Sequence, residues 1–175
     1  MYSPFKGLCI VLVVVLQLVV SPAQADPLSR AQAVAAALSP AHPAEMLTAA
    51  VVHFDEGARE EGAYLFYFAQ LRWRRYITAR PDLPPDQDRA LFASMLAISG
   101  PVINEWAFGD IDWLVATLRA VMRHDAQTPD PLTPVAAFPE IHVQSRQSFA
   151  ELIDLIETDA DELRAGRTAA GLENR

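Results

Sequence analysis

Residues 64–76 have the sequence YLFYFAQLRWRRY, and this stretch decides the fold class. Its first half is apolar on every side of a helix, which is typical of a helix that is buried on most sides. Its second half holds three arginines within four positions. Elsewhere apolar residues recur at spacings of three and four, and no six residues alternate cleanly. We therefore predict an all-α domain built around this helix.

Prolines, glycines and cap residues divide the rest of the chain. We expect a helix or an arm over 27–37 and helices over 44–54, 59–79 and 86–99, then one capped by Asp110 and a last one ending near Gly166. Gly100-Pro101 is expected to end the fourth of these segments. The prediction is a single compact domain over 26–165, an irregular bundle of about five helices, followed by a polar, flexible tail over 166–175.

Residues 1–25 have the parts of a secretory signal peptide. Lys6 precedes an apolar run from Gly7 to Val20, and Ala23-Gln24-Ala25 has the pattern of a cleavage site. The run is about 14 residues, shorter than the roughly 20 that span a bilayer. We predict cleavage before Asp26, no stable membrane insertion afterwards, and a periplasmic location, with an extracellular one as the alternative.

The charge left after cleavage excludes several classes of protein. Residues 26–175 hold 13 arginines, no lysine and 22 carboxylates, which gives a net charge of −9. A generic nucleic-acid binder needs a basic face, so nucleic acid is not an expected partner. The chain's one cysteine is Cys9, so disulfides, cysteine-bound zinc and thiol catalysis are excluded from the mature protein. No nucleotide, zinc-protease or serine-hydrolase motif is present, and we expect no cofactor.

The arginine-rich half of the 64–76 stretch is the first candidate site. Gln70 falls in an otherwise apolar helical stripe, and a buried amide is costly unless it is bonded, so a dedicated partner is expected. Gln70, Arg72, Trp73 and Arg75 are candidates for lining a pocket that takes an anionic or polar ligand. The alternative is structural: arginines near a helix C-terminus complement its dipole and find acidic partners in a chain of this charge.

The second candidate site is residues 100–110, read as a turn between two apolar helices. Asn104, Glu105 and Trp106 would be presented there as ligand- or partner-binding residues, as loops often present functional groups. Glu105 and Asp110 would form the carboxylate pair that glycoside hydrolysis requires. The alternative is a packed interhelical turn in which Asp110 serves as the N-cap of the next helix.

The histidines and the acidic residues of the last helix carry weaker signals. His53 and Glu56 have a spacing found in metal sites but lack further ligands, so no metal site is predicted. The acidic stretch over 154–162 is either a solvated helix face or a docking surface for a basic partner.

Residues 54–72 carry a local resemblance. Gly57, then Glu60-Glu61-Gly62-Ala63, then the aromatic run from Tyr64 to Ala69 are similar to the turn and second helix of a Sel1 or tetratricopeptide-type hairpin. The likeness covers about 20 residues and does not recur at a fixed period, as a solenoid would require. It implies one helical hairpin and no particular function.

Three functional hypotheses follow. The leading one is a small secreted or periplasmic binding protein without catalysis that engages a protein partner, for example an immunity-type protein that neutralises a toxin. A second is an enzyme acting on cell-envelope polymers, with Glu105 as the acid and Asp110 or Glu56 as the second carboxylate. A third is a binder of a small anionic ligand, in which the arginines hold a carboxylate or phosphate.

Overall fold

The computed structural model describes residues 26–175, and every regular element among them is a helix. The elements are α1 (Pro27–Ala37), α2 (Pro43–Asp55), α3 (Arg59–Thr78), α4 (Asp88–Ala107), α5 (Ile111–Gln127), α6 (Pro139–Thr158) and α7 (Ala160–Ala169). The predicted all-α class is confirmed, with seven helices in this part of the chain where about five were expected. The predicted signal peptide lies outside the described residues.

Helix α3 is the centre of the bundle. Every residue from Glu61 to Ala69 is buried, and α3 packs against α1, α2, α4, α5 and α6. The all-round apolar sequence explains this position, because an aromatic side chain on any side of the helix must leave water. Burying each large side chain such as Phe66 or Phe68 contributes about 1.5–3 kcal/mol.

Helices α2 and α3 form the predicted hairpin. Gly57 ends the turn between them with φ of +93°, a left-handed conformation that favours glycine. At Gly62 a Cβ atom would lie 2.7 Å from both the carbonyl oxygen of Ala50 and the Cβ of Phe54. The two helix backbones therefore approach each other closely because residue 62 has no side chain.

The expectation that Gly100-Pro101 ends a helix is wrong. Helix α4 continues through both residues to Ala107, so Asn104, Glu105 and Trp106 lie in its last turns and not in a loop. Pro101 cannot donate a hydrogen bond to the carbonyl of Ala97, but Pro101 is on the exposed side of α4. Water can bond the freed carbonyl there, and burial of Phe92, Ile103 and Ala107 holds the helix on its inner side.

The C-terminal third confirms one predicted cap and revises one helix. Asp110 caps α5, since its Oδ1 accepts from the backbone N–H of Trp113 at 2.9 Å. The last apolar segment is two helices that meet at Asp159, and α7 ends at Ala169, three residues beyond the predicted end near Gly166. In the tail, the Arg175 guanidinium lies 4.2 Å from the Trp106 ring centre. Over residues 26–175, no helix has the length and apolar character needed to cross a bilayer.

Candidate functional site

A groove of about 800 Å³ runs between α3, α4, α5 and α6. Buried residues of α3 and α5, among them Leu71 and Leu118, form its floor. Helices α4 and α6, which each pack against α3, form its walls. Exposed side chains such as Arg74 and Ser148 line it as well, so the groove is open to solvent. Its volume is in the range of small-molecule binding sites.

One end of the groove is cationic. Arg74 and Arg75 come from the second half of α3, and Arg89 comes from the first turn of α4. The Arg74 guanidinium lies 5.2 Å from the ring centre of Phe92, one turn beyond Arg89. Ser145 of α6 reaches the same end, where its Oγ accepts a hydrogen bond from Arg75 Nε at 3.1 Å.

The other end of the groove is apolar. Its lining side chains come from the end of α4, the start of α5 and the second half of α6, and they are Phe108, Leu114, Leu118, Phe149, Leu152 and Ile156. Helices α5 and α6 are held side by side there, since Arg119 Nη2 donates to Glu157 Oε2 at 2.6 Å. The charged side chains of the lining are thus confined to one end, which also includes the apolar Ile77, Phe92 and Ile141.

The groove lining contains three arginines and no carboxylate. In residues 26–175 carboxylates outnumber arginines by 22 to 13, so this distribution is opposite to that of the chain as a whole. A low-dielectric cleft lined by one sign of charge concentrates ions of the opposite sign. The groove is therefore suited to an anion, while the chain as a whole repels one.

Arg72 and Arg75, both predicted to bind a ligand, are occupied by the protein itself. Arg72 is buried and does not line the groove. Its Nε donates to Asp125 Oδ1 at 3.0 Å, and its Nη atoms donate to Ser39 and to the carbonyls of Thr128 and Pro129. Arg72 therefore has an acidic partner within the protein.

Arg75 lines the groove, but four of its donor contacts are to protein. Its Nη atoms donate to both oxygens of Asp125 and to Asp130 Oδ2, and its Nε donates to Ser145. The side chain is buried, and its charge is balanced by two carboxylates. Arg75 therefore lies at the cationic end of the groove, but its charge is already paired and it is not the cation available to a ligand.

Arg74 and Arg89 carry the available positive charge. Neither forms an ion pair within residues 26–175. Arg74 stacks on Phe92, and Arg89 makes one long contact of 3.5 Å with the carbonyl oxygen of Arg80. Their remaining N–H groups are free to donate to a ligand. A guanidinium matches a carboxylate or phosphate through paired hydrogen bonds.

Three amides line the groove, and two of them, Gln70 and Asn104, lie between the cationic end and the apolar end. Gln70 is half-buried, and no described residue bonds its side chain, contrary to the dedicated partner that the sequence led us to expect. Asn104 Oδ1 accepts from the Tyr67 hydroxyl at 2.9 Å, which leaves the Asn104 N–H groups for a ligand. Burial raises the pKa of Tyr67, so this hydroxyl remains a proton donor.

The other predicted site residues lie outside the groove lining. Trp73 is fully buried and packs edge-on against His42 and obliquely against Phe92. Trp106 is half-buried and packs against Trp113, with ring centres 5.0 Å apart. Both tryptophans therefore have packing roles in this structure.

The predicted carboxylate pair does not meet in this groove. Glu105 is exposed on the last turns of α4, and Asp110 caps α5. Among the described residues, no group of three or more histidine, cysteine or carboxylate side chains is placed to hold a metal ion. His53 instead lies 3.4 Å from Glu61.

Sequence reasoning missed Arg74 and Arg89. Arg74 follows Gln70 by four positions, so the two share a helix face, and this spacing alone groups Arg74 with the groove. Arg72 follows Phe68 by four positions, so these two residues share a different face of α3. The Arg72 guanidinium lies 4.7 Å from the ring centre of Phe68. No comparable signal marks Arg89, because its place depends on how α4 packs against α3.

Comparisons with models of known families, with curated proteins and with solved structures found no match for this chain.

Proposed function

We propose that this chain is a binding protein that holds a small anionic ligand in the α3–α6 groove and does so without catalysis. One observation carries the proposal: a groove with free arginines and no acid lies in residues 26–175, which have a net charge of −9. The buried charge network does not use Arg74 and Arg89, because Asp125 pairs with Arg72 and Arg75. Arg74 and Arg89 can therefore attract an anion.

The groups that face the groove support binding. Free guanidiniums of Arg74 and Arg89 supply charged hydrogen bonds, and the amides of Gln70 and Asn104 supply neutral ones. The apolar floor offers a surface that the uncharged part of a ligand can cover. A few convergent polar groups in a mostly apolar cleft are typical of a small-molecule site.

A fluorescence titration with anilinonaphthalene sulfonate, an apolar anion, tests the proposal. The protein should bind it, and the double variant Arg74→Gln/Arg89→Gln should bind it at least about tenfold more weakly, since a charged hydrogen bond contributes about 1.5–3 kcal/mol. The matched control is Arg59→Gln/Arg123→Gln, which changes the charge equally at two exposed positions outside the groove. An equal loss in both double variants would show that only overall charge matters and would refute the proposal.

A protein partner is a second candidate, favoured by the outer face of α4. Leu91, Ile98 and Val102 follow one another along this face, and Ile98 is 79% exposed. Exposed apolar side chains in a row are typical of a binding surface. This is the observation that supports an interaction protein of the immunity type. Ile98→Asp should then abolish co-purification of a partner from a periplasmic extract, while Ala97→Asp nearby serves as control.

Export is the remaining part of the proposal. The apolar run and the cleavage pattern in residues 1–25 support secretion to the periplasm, as the sequence predicts. The mass of the protein recovered from that compartment tests it. A chain that begins at Asp26 is expected, and a full-length chain retained in the cytoplasm would contradict the proposal.

A further inference from the structure

We infer that the groove takes a single-chain amphiphile with one negative charge, in the chemical class of the unbranched fatty acids. The carboxylate lies at Arg74 and Arg89, and the alkyl chain runs toward Leu118 and Ile156. This inference rests on the proposed function of the groove and specifies its ligand.

The length of the groove excludes a compact anion as the best ligand. Its lining extends along α6 from Ile141 to Ile156, which is about 22 Å at the rise of an α-helix. A sulfate-sized ion would occupy the cationic end and leave the apolar remainder in water. An alkyl chain covers that remainder, and each methylene that it buries there is favourable.

The polarity of the groove orients the ligand. Arg74 and Arg89 are at the end formed by the second half of α3 and the first turn of α4, while Leu118 and Ile156 are at the end formed by α5 and the second half of α6. Helices α4 and α6 begin near the cationic end and α3 ends there, so the helix dipoles oppose one another and the arginines themselves orient the head group. A single orientation satisfies both ends of an amphiphile.

The charge of the chain favours a carboxylate over a phosphate as head group. Residues 26–175 carry a net charge of −9, and the long-range field of that charge opposes each added negative charge, so a monoanion is disfavoured less than a dianion. The free cations are guanidiniums, which can pair with a carboxylate or a phosphate, so the preference rests on the lower charge of the carboxylate. We therefore assign the head group as a carboxylate.

Isothermal titration of the protein with butanoate, octanoate and dodecanoate, below micelle-forming concentrations, tests the inference. Affinity should rise about two- to fourfold per methylene, since full burial of a methylene corresponds to about fourfold. Dodecanol, which has no charge, should bind at least about tenfold more weakly than dodecanoate. Dodecyl phosphate should bind more weakly than dodecanoate.

A pair of variants on α6 locates the alkyl chain. Leu152 lines the apolar end and is 40% exposed, whereas Leu155 on the same helix is 58% exposed and does not line the groove. Leu152→Glu should lower dodecanoate affinity about tenfold or more by placing a like charge beside the chain. Leu155→Glu adds the same charge and should change the affinity little.

These experiments distinguish a failure of the amphiphile inference from a failure of the proposed anion site. Equal affinities for butanoate and dodecanoate, or equal losses in Leu152→Glu and Leu155→Glu, would overturn the amphiphile while leaving an anion site intact. Tighter binding of dodecyl phosphate than of dodecanoate would overturn the carboxylate head group. Binding of dodecyl trimethylammonium as tight as that of dodecanoate would overturn the anion site and the proposed function with it.

Discussion

Arg75 Nη2 lies 2.6 Å from Asp125 Oδ2 in the interior of the bundle, where the two side chains are 0% and 1% exposed. The same carboxylate accepts from Arg72 Nε at 3.0 Å. Burial alone would raise the pKa of Asp125, but the hydrogen bond from Arg75 and the charges of both arginines hold it below its usual range. One carboxylate therefore joins α3 to α5, and through Arg75 and Ser145 it also holds the groove wall.

Removing the charge of Asp125 should destabilise the protein strongly. Asp125→Asn removes the negative charge that balances two buried guanidiniums. Breaking such a network lowers the free energy of unfolding by about 3–5 kcal/mol. Urea denaturation measures this. The control is Asp112→Asn, because Asp112 also pairs with an arginine but its side chain is 91% exposed, so little change is expected. Equal stabilities of the two variants would contradict a structural role for the network.

Gly62→Ala should weaken the α2–α3 hairpin. The added Cβ would meet backbone and Cβ atoms at 2.7 Å, and such overpacking costs about 1–3 kcal/mol. Gly166→Ala on α7 is the matched control, because nothing lies within 4 Å of its added Cβ. The free energy of unfolding of that variant should rise by about 0.5–1 kcal/mol, because alanine favours the helix more than glycine does. Thermal unfolding compares the two variants. A Gly62→Ala protein as stable as the wild type would contradict the close approach of α2 and α3.

Stability should fall as the pH is lowered through the range in which histidine titrates. Burial, and then the charge of Arg72, lowers the pKa of His124 in the folded protein, and its Nδ1 lies 2.7 Å from the Tyr64 hydroxyl. The unfolded chain takes up the proton first, near pH 6.5, so the stability present above that pH is lost as the pH falls toward the folded pKa.

The variant His124→Gln isolates this contribution. Its unfolding free energy should fall less than that of the wild type between pH 7.5 and about 5.5, because the variant lacks the contribution of His124. Urea denaturation at the two pH values provides the comparison. Identical pH dependence in the two proteins would show that His124 is not held neutral by the fold.

The sequence predicts the helices well where local chemistry decides their ends. Gly57 adopts the left-handed conformation of a helix stop, and Asp110 caps α5 as expected. The prediction fails at Pro101 because packing of the inner face of α4 outweighs the lost hydrogen bond. The conformational preference of Gly100-Pro101 alone does not show how strongly the inner face of α4 packs against the rest of the bundle.

The candidate site was predictable only in part. Helical spacing places Gln70 with Arg74, yet the three arginines in the second half of α3 look alike in sequence. Arg72 and Arg75 are distinguished from Arg74 by Asp125, which is some 50 positions away and is brought near by the fold. The contribution of Arg89 likewise depends on tertiary packing of α4 against α3.

Nuclear magnetic resonance of the isotope-labelled protein with dodecanoate tests the central claim most directly. The claim predicts shifts of the side-chain N–H signals of Gln70, Arg74, Arg89 and Asn104 and of backbone amides along α6, while α1 and α2, which lie away from the groove lining, remain unchanged. Shifts confined to α1, α2 or the outer face of α4, with those four side chains unaffected, would contradict an anion site in the groove.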